Sequence, residues 1–425
     1  MGRVYTANAV QEYPGRVGCL VKTDREGRSF AWAYRLCFVM VISLSAFFIF
    51  SSLKNIRYGA SLDEGYYLKY ATAISERGLA GFPKLVQEYA RTPKDWLFPS
   101  PLRAGFIVIA SLWLRATGYS FEGLSYLSLC AYVLFMIVSF AYARKYFGER
   151  IALLLAILLA FSPLQMAMAR RALTDSLGNL CATLSLWLFF DHLEDRSRLK
   201  TFLFILSYSL TILVRETSVV LSGVFFLYLL LRKFVYKTQV NGMDFLSASL
   251  IPFGFVAIVY ISLAGSFGNI LEILKAILIY PKENYYVSRY CDGPWFRYLV
   301  DFLLLSPWTT VMSIVFIGYS LATGKIERAV SFLLLFLVVY LISMNLMIKN
   351  VRYIITLDMP LRLFCVLMVT ELARKWAGRF AFPISATLVS ILAMNDYFRF
   401  VLFFSIKQIY DPVTFFLLKA YKIIP

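Results

Sequence analysis

The sequence predicts an all-α fold: a polytopic bundle of transmembrane helices, about eleven spans, with a long first outer loop that carries interfacial helices. Three observations predict it. The 425 residues are 60% hydrophobic and only 16% charged, where soluble domains run nearer to one quarter charged. Apolar runs of about 18 residues, the length that crosses a bilayer, recur at Leu36–Leu53, Leu124–Tyr142, Ile151–Met168, Ala329–Met347 and Tyr353–Leu372. The excess of base, 43 Lys and Arg against 25 Asp and Glu, collects at the ends of such runs, where anchors to anionic headgroups belong. No pattern for reading nucleic acid accompanies that charge.

The elements follow in chain order. The first run comes after about 35 mostly polar residues without a convincing cleavage site, which predicts a cytoplasmic tail over 1–35 and a retained signal-anchor. Beyond it, two sets of connections alternate. One is short and basic: the N-terminal tail, ARKYFGER (143–150), DHLEDRSRLK (191–200), RKFVYK (232–237), ATGKIER (322–328) and ARKWAGR (373–379). The other comprises 54–121, RRALTD (170–175), RET (215–217), 265–297 and KNVRY (349–353). With the basic set cytoplasmic, the second set lies outside. SPLRAGFIVIASLWLRATG (100–118) has an apolar core of about 14 residues, short for a span. If it crossed, every later basic loop would face outward, so it reads as an interfacial or re-entrant helix within the first outer loop. The membrane domain then runs over 36–395, and 396–425 reads as an interfacial helix or one further span. Six scattered cysteines without C-x-x-C, and His192 as the one histidine, argue against a zinc site.

The outer set holds the unusual chemistry. SLDEGYYLKYA (61–71) opens with Ser61-x-x-Glu64, the form of a capping box. Glu64 therefore fits either a cap or a site role. Asp63 is surplus to that cap, and a helix starting here sets Tyr66 and Tyr67 on or near its face. Those phenols suit a sugar site or an aromatic belt at the interface. MARRALTDSLGN (168–179) ends one run with Arg170 and Arg171 and starts the next with Asp175. Snorkelling arginines and an acid at a helix start explain it; so does a second carboxylate facing the same outer cavity. LVRETSVV sets Arg215 and Glu216 in a tight reversal, suited to an ion pair or to holding phosphate bidentately. In KNVRYIITLDMPLRL, Arg352 and Tyr353 lie at the outer end of a run, while Asp358 and Arg362, i and i+4 about Pro360, read as a structural pair at a kink. Lys84 and Lys94 in the first loop are further phosphate candidates, and the aromatic, basic stretch within 275–297 suits a lid or an interfacial segment.

The order of these motifs resembles the GT-C superfamily of membrane glycosyltransferases: an Asp-Glu pair opening a long outer loop, then PSPLRAGF, ARKYFGER, SPLQMAMARRALTDSL, VRET and VRYIITLDMP. It looks like the branch of the protein O-mannosyltransferases and the aminoarabinose transferases of lipid A, over roughly 36–372. The resemblance implies a polyprenyl-phosphate sugar donor held between spans, its phosphate at the outer face, and a lipid, glycan or protein acceptor. It implies that Asp63 acts on the acceptor, that Asp175 is the second acidic position, and that Arg352 and Tyr353 sit by the donor phosphate. Arg215 and Glu216 match a position that is often Lys-Glu there. Lys94 stands where the aminoarabinose transferases have a lysine in Lys-Pro-Pro, although this chain reads TPKDWLFPSPLR. Oligosaccharyltransferase relatives use a metal with acidic ligands, so a divalent cation, Mg or Mn, is the cofactor the resemblance admits; T-D-S at 174–176 in place of D-x-D counts against it.

A sugar phosphate already carries a good leaving group, so the chemistry needs a base near the acceptor and cations around the departing phosphate. Asp63 suits the first; Arg352, Arg215 and Arg170 or Arg171 suit the second. The expectation is an inverting glycosyltransferase of the cell (inner) membrane, if bacterial, acting on a hydroxyl or amine at the non-cytoplasmic face. The competing readings are a polytopic transporter or lipid flippase, which favours internal repeats and broken helices at mid-membrane, and a non-catalytic subunit of a cell-envelope complex. No internal repeat is visible in this chain.

Overall fold

A computed structural model describes residues 31–58, 62–283, 291, 293–324 and 326–420. Among these the regular elements are all helices and no strand occurs. The first, α1 (Ala31–Ser52), is followed by three helices of the connection that leads to α5: α2 (Leu62–Arg77), α3 (Phe82–Ala90) and α4 (Ala104–Thr117). Then come α5 (Phe121–Phe147), α6 (Glu149–Ala160), α7 (Pro163–Ala169), α8 (Asp175–Asp195), α9 (Arg198–Val214) and α10 (Leu221–Phe234). The second half holds α11 (Gly242–Ala248), α12 (Leu250–Ala264), α13 (Phe267–Glu283), α14 (Arg297–Leu305), α15 (Pro307–Thr323), α16 (Arg328–Asn345), α17 (Asp358–Ala377), α18 (Ala381–Arg399) and α19 (Pro412–Ala420).

Six segments among the described residues are long and apolar enough to cross a membrane, or up to seven if the pair α6 and α7, bent by 62°, counts as one span. The longest, Val351–Ile406, contains both α17 and α18, broken at Gly378–Phe380. The sequence expectation of about eleven also drew on α8, α9 and α15. Of these, α9 and α15 have 17 residues each, about 26 Å at 1.5 Å per residue, and α8 has 21 residues with acids at both ends. The chain is thus an integral, multi-pass helical membrane protein. Its lipid-facing character shows in α1, where Trp32, Met40 and Phe47 are more than 60% exposed.

Packing explains the placement of the helices between α1 and α5. Helix α4 has 14 residues, about 21 Å and too short to span. It lies against α2, α5 and α9. Gly105 makes the approach to α9 close: a Cβ there would meet Leu213 Cβ at 2.9 Å, so only a glycine fits without a shift. That contact brings the start of α4 beside the segment that follows α9. Helix α13, from the connection expected to lie outside, packs on α3; of the expected lid, 284–290 and 292 lie outside the described residues.

The core is tied by ions as well as by apolar contact. Arg362, fully buried, donates from Nε to Asp358 at 2.9 Å, from Nη1 to Asp396 at 2.6 Å, and from Nη2 to the Ser306 hydroxyl at 2.9 Å. Ser162 completes the group, donating to Asp358 at 2.7 Å. The junctions α6–α7 and α14–α15 are thereby joined to α17 and α18. The expected Asp358–Arg362 pair is present, but not at a kink. Pro360 falls in the first turn of α17, where its missing N–H costs no helical bond, so it starts a helix that follows the tighter turn Val351–Leu357.

Candidate active site

Four segments meet at one end of the bundle, and each brings its charged residues in on a helix start. Asp63 lies in the first turn of α2 and Asp175 opens α8. Glu216 opens the tight turn Glu216–Val220, and Arg352 and Tyr353 lie on Val351–Leu357. Helix starts suit acids, because the dipole and the unpaired N–H groups favour negative charge there. The arginines then face carboxylates from other segments.

Arg352 Nη2 donates to Asp63 Oδ2 at 2.5 Å, with the two side chains 20% and 16% exposed. Arg215 Nη1 lies 3.4 Å from Asp175 Oδ1, and that pair is enclosed. Both guanidiniums sit against the Tyr353 ring, at 5.0 and 5.4 Å from its centroid, a cation–π arrangement. Arg215 Nη2 and Arg352 Nε are buried and make no hydrogen bond. Two guanidinium donors are therefore left over around one ring, and a phosphate or carboxylate is what such donors bind.

A third pair was not foreseen. Arg103, at the start of α4, donates to both oxygens of Glu216, from Nε to Oε2 at 2.8 Å and from Nη2 to Oε1 at 3.0 Å. Its Nη1 donates to the Tyr67 hydroxyl, which in turn meets Thr174 Oγ1 at 3.3 Å. Tyr67 lies one helical turn after Asp63 on the same face, and Thr174 precedes Asp175. Burial holds the Tyr67 phenol protonated, its pKa pushed up to about 12. Burial opposes the charge of Arg103, but Glu216 offsets it and raises the guanidinium well above its ordinary value. The only sequence signal for Arg103 is an arginine between PSPL and Gly105, and nothing local says which acid it meets.

Several expected site residues have other partners. Glu64 is fully buried; its Oε1 accepts from Arg171 Nε at 2.6 Å and from the Ala172 N–H at 3.2 Å. Ser61 lies outside the described residues, and Glu64 points into the bundle, not back toward a cap. Arg171 is thus held by Glu64 and stacks on Tyr410 at 4.1 Å, and its Nη2 is buried without a hydrogen bond. Arg170 donates to the carbonyls of Ser52, at 2.9 Å, and Phe404, at 3.4 Å, so it ties the end of α1 to the C-terminal segment. Tyr66 turns away from the cluster: it donates to Asp95 at 2.8 Å and stacks on Phe98 at 4.8 Å. Lys94 is exposed on the turn Pro93–Asp95, outside the buried cluster. A groove of about 480 Å³ borders α2 and α3, lined by Gly65, Lys69, Glu76 and Glu88 among others. Gly65 is two residues from Asp63, about 200° around the helix, so the groove lies on the opposite face from the ion pairs.

The fit of a metal can be judged from the donor set. Among the described residues no three His, Cys, Asp or Glu side chains come together to hold one. Asp63 and Asp175 each face a guanidinium instead, so these residues do not form a divalent-cation site as they stand.

Comparison with known proteins bears on the fold. Residues 102–261 match the family model described as dolichyl-phosphate-mannose-protein mannosyltransferase. No curated protein matches the chain by sequence. Among solved structures, ArnT from Cupriavidus metallidurans bound to undecaprenyl phosphate is similar at a TM-score of 0.58 and 14% identity, over 88% of this chain and 76% of that one. The Archaeoglobus fulgidus oligosaccharyltransferase tethered to an acceptor peptide is similar at 0.56 and 12%, over 88% of this chain. The archaeal oligosaccharyltransferase AglB with an inhibitory peptide and a dolichol-phosphate gives 0.56 and 10%. This chain spans 55–56% of the length of those last two.

Proposed function

We infer that this chain, which shares the GT-C fold of the membrane glycosyltransferases, moves a sugar from a polyprenyl-phosphate donor to an acceptor hydroxyl or amine at the non-cytoplasmic face. One observation carries the reading. Arg215 and Arg352, each with one unpartnered donor, flank Tyr353, and Asp63 lies 2.5 Å from Arg352 Nη2. A phosphate bound by those donors sets its sugar beside a carboxylate. Structural neighbours bound to undecaprenyl phosphate and to a dolichol-phosphate support a lipid-linked phosphate as the ligand.

The step balances without a covalent intermediate. Asp63 takes the proton of the acceptor O–H or N–H as that atom bonds to the anomeric carbon. The bond from that carbon to the phosphate oxygen breaks, and the polyprenyl phosphate leaves with the electron pair and one further negative charge. Arg352 and Arg215 face the oxygens where this charge develops, which is where preorganised cations lower a barrier most. Arg103, Glu216, Tyr67 and Thr174 fix the start of α2 relative to α8. The reading is tested by incubating the purified protein with a panel of polyprenyl-phosphate sugars and a lipid, peptide or glycan acceptor. Transfer should depend on the lipid-linked form, and nucleotide sugars should give none; transfer from a nucleotide sugar would sink it.

Two further outcomes follow from the same step. A single displacement inverts the anomeric centre, so NMR of the product should show the configuration opposite to the donor's; retention would demand a glycosyl-enzyme instead. Because each site acid faces an arginine, EDTA should change the rate by less than about twofold. Loss in EDTA that manganese or magnesium restores would overturn that assignment.

A further inference from the structure

This inference rests on the donor reading above and concerns how its base is made available. Each guanidinium of the cluster is already held by a carboxylate, but the three pairs differ. Arg103 grips Glu216 through both oxygens and Tyr67 as well. Arg215 and Asp175 are enclosed, at 5% and 4% exposure. Arg352 and Asp63 rest on one short contact, are about as open as Arg103 and Glu216, at 20% and 16% against 14% and 17%, and leave Arg352 Nε unused. A phosphodiester brings two non-bridging oxygens that match the guanidinium fork. It cannot take the same N–H that Asp63 accepts.

We propose that Arg352 exchanges partners: it holds Asp63 Oδ2 until the donor's phosphate takes it over, and that exchange frees the Asp63 oxygen to accept the acceptor's proton. The base is therefore assembled by the donor itself. Binding is ordered, donor before acceptor, and Asp63 Oδ2 stays on Arg352 while the donor is absent. Arg103–Glu216 stays closed throughout and holds the frame in which the exchange happens.

Competition of this kind has a thermodynamic signature, because a ligand that must break a pair binds more weakly by the equilibrium of that pair. Farnesyl phosphate is a short, soluble probe, titrated into the detergent-purified full chain, with inorganic phosphate in a parallel arm to separate a lipid-phosphate site from a free-anion site. Asp63→Asn should bind farnesyl phosphate about tenfold more tightly than the wild type, about 1.4 kcal/mol. Removing a negative charge could act through its field alone, so the same substitution is made on Arg352→Gln. There, Asp63→Asn should change affinity by less than about twofold. Arg352→Lys, which retains the charge, guards against a Gln variant that fails to fold. The exchange is overturned if Asp63→Asn leaves affinity unchanged or weaker, or tightens it equally without Arg352. If farnesyl phosphate binds and Arg352→Gln weakens it while Asp63→Asn does nothing, the exchange falls and the donor reading stands. If no form binds it, both fall, and tighter binding of inorganic phosphate would make this a free-anion site and overturn both.

Discussion

Replacing Asp63 with Asn should lower the transfer rate about 10²- to 10⁴-fold, the range a positioned general base contributes, while the protein still accumulates in the membrane. Asn matches Asp in shape and still accepts a hydrogen bond from Arg352, but it cannot take a proton. The pair it weakens is partly exposed, 16% at Asp63, and such pairs contribute only about 0–1 kcal/mol. Rate and stability should therefore separate. Initial rates with a lipid-linked sugar, set against the melting temperature of the same preparation, make the comparison. Transfer at more than about a tenth of the wild-type rate would remove Asp63 from the chemistry. A subunit without catalysis, or a flippase, predicts no such loss.

The second large effect lies one residue away and is structural. Glu64→Ala should destabilise the protein by about 3–5 kcal/mol, the cost of leaving one partner of a buried ion pair alone. Arg171 would keep its charge at 2% exposure, with the Tyr410 ring at 4.1 Å as the remaining favourable contact. The yield of folded protein and its melting temperature in detergent should both drop. The double change Glu64→Leu with Arg171→Met should recover most of the loss, since a well-packed apolar pair can replace a buried ionic one. A Glu64→Ala protein that melts with the wild type would show that the pair is dispensable. The pair matters to the site because of its place in the chain. Glu64 adjoins Asp63, and Arg171 lies four residues before Asp175, so one contact sets the separation of both site acids.

Much of this molecule is legible before folding. Apolar runs of span length and a short apolar helix between the first two of them are local properties, and local properties survive into the fold. The same holds for Asp63, Asp175, Arg215 and Arg352: each is a charge at the boundary of an apolar run, where a helix must begin. The counting of spans is less local. Helices α8, α9 and α15 sit at the margin of length and polarity, and composition cannot arbitrate at a margin. The tyrosines of α2 show another limit. Tyr66 and Tyr67 are neighbours in a row of phenols, yet one bonds Asp95 and the other Arg103.

What the sequence determined by itself is the membrane-helical architecture and the set of charged residues that gather at one end of it. What only the tertiary structure decided is the pairing. Arg170, Arg171, Arg215 and Arg352 look alike along the chain, each an arginine near the end of an apolar run. Arg171 turns to Glu64, Arg170 to two carbonyls, Arg215 to Asp175, Arg352 to Asp63, and Arg103 joins from a helix that gave no warning. The reason is geometric. Asp63 and Glu64 are consecutive, but successive side chains on a helix point about 100° apart, so they meet different neighbours. Those neighbours come from segments 289 and 107 residues away. Charge type is written in the residue; the partner that decides its role is set by which helices pack together.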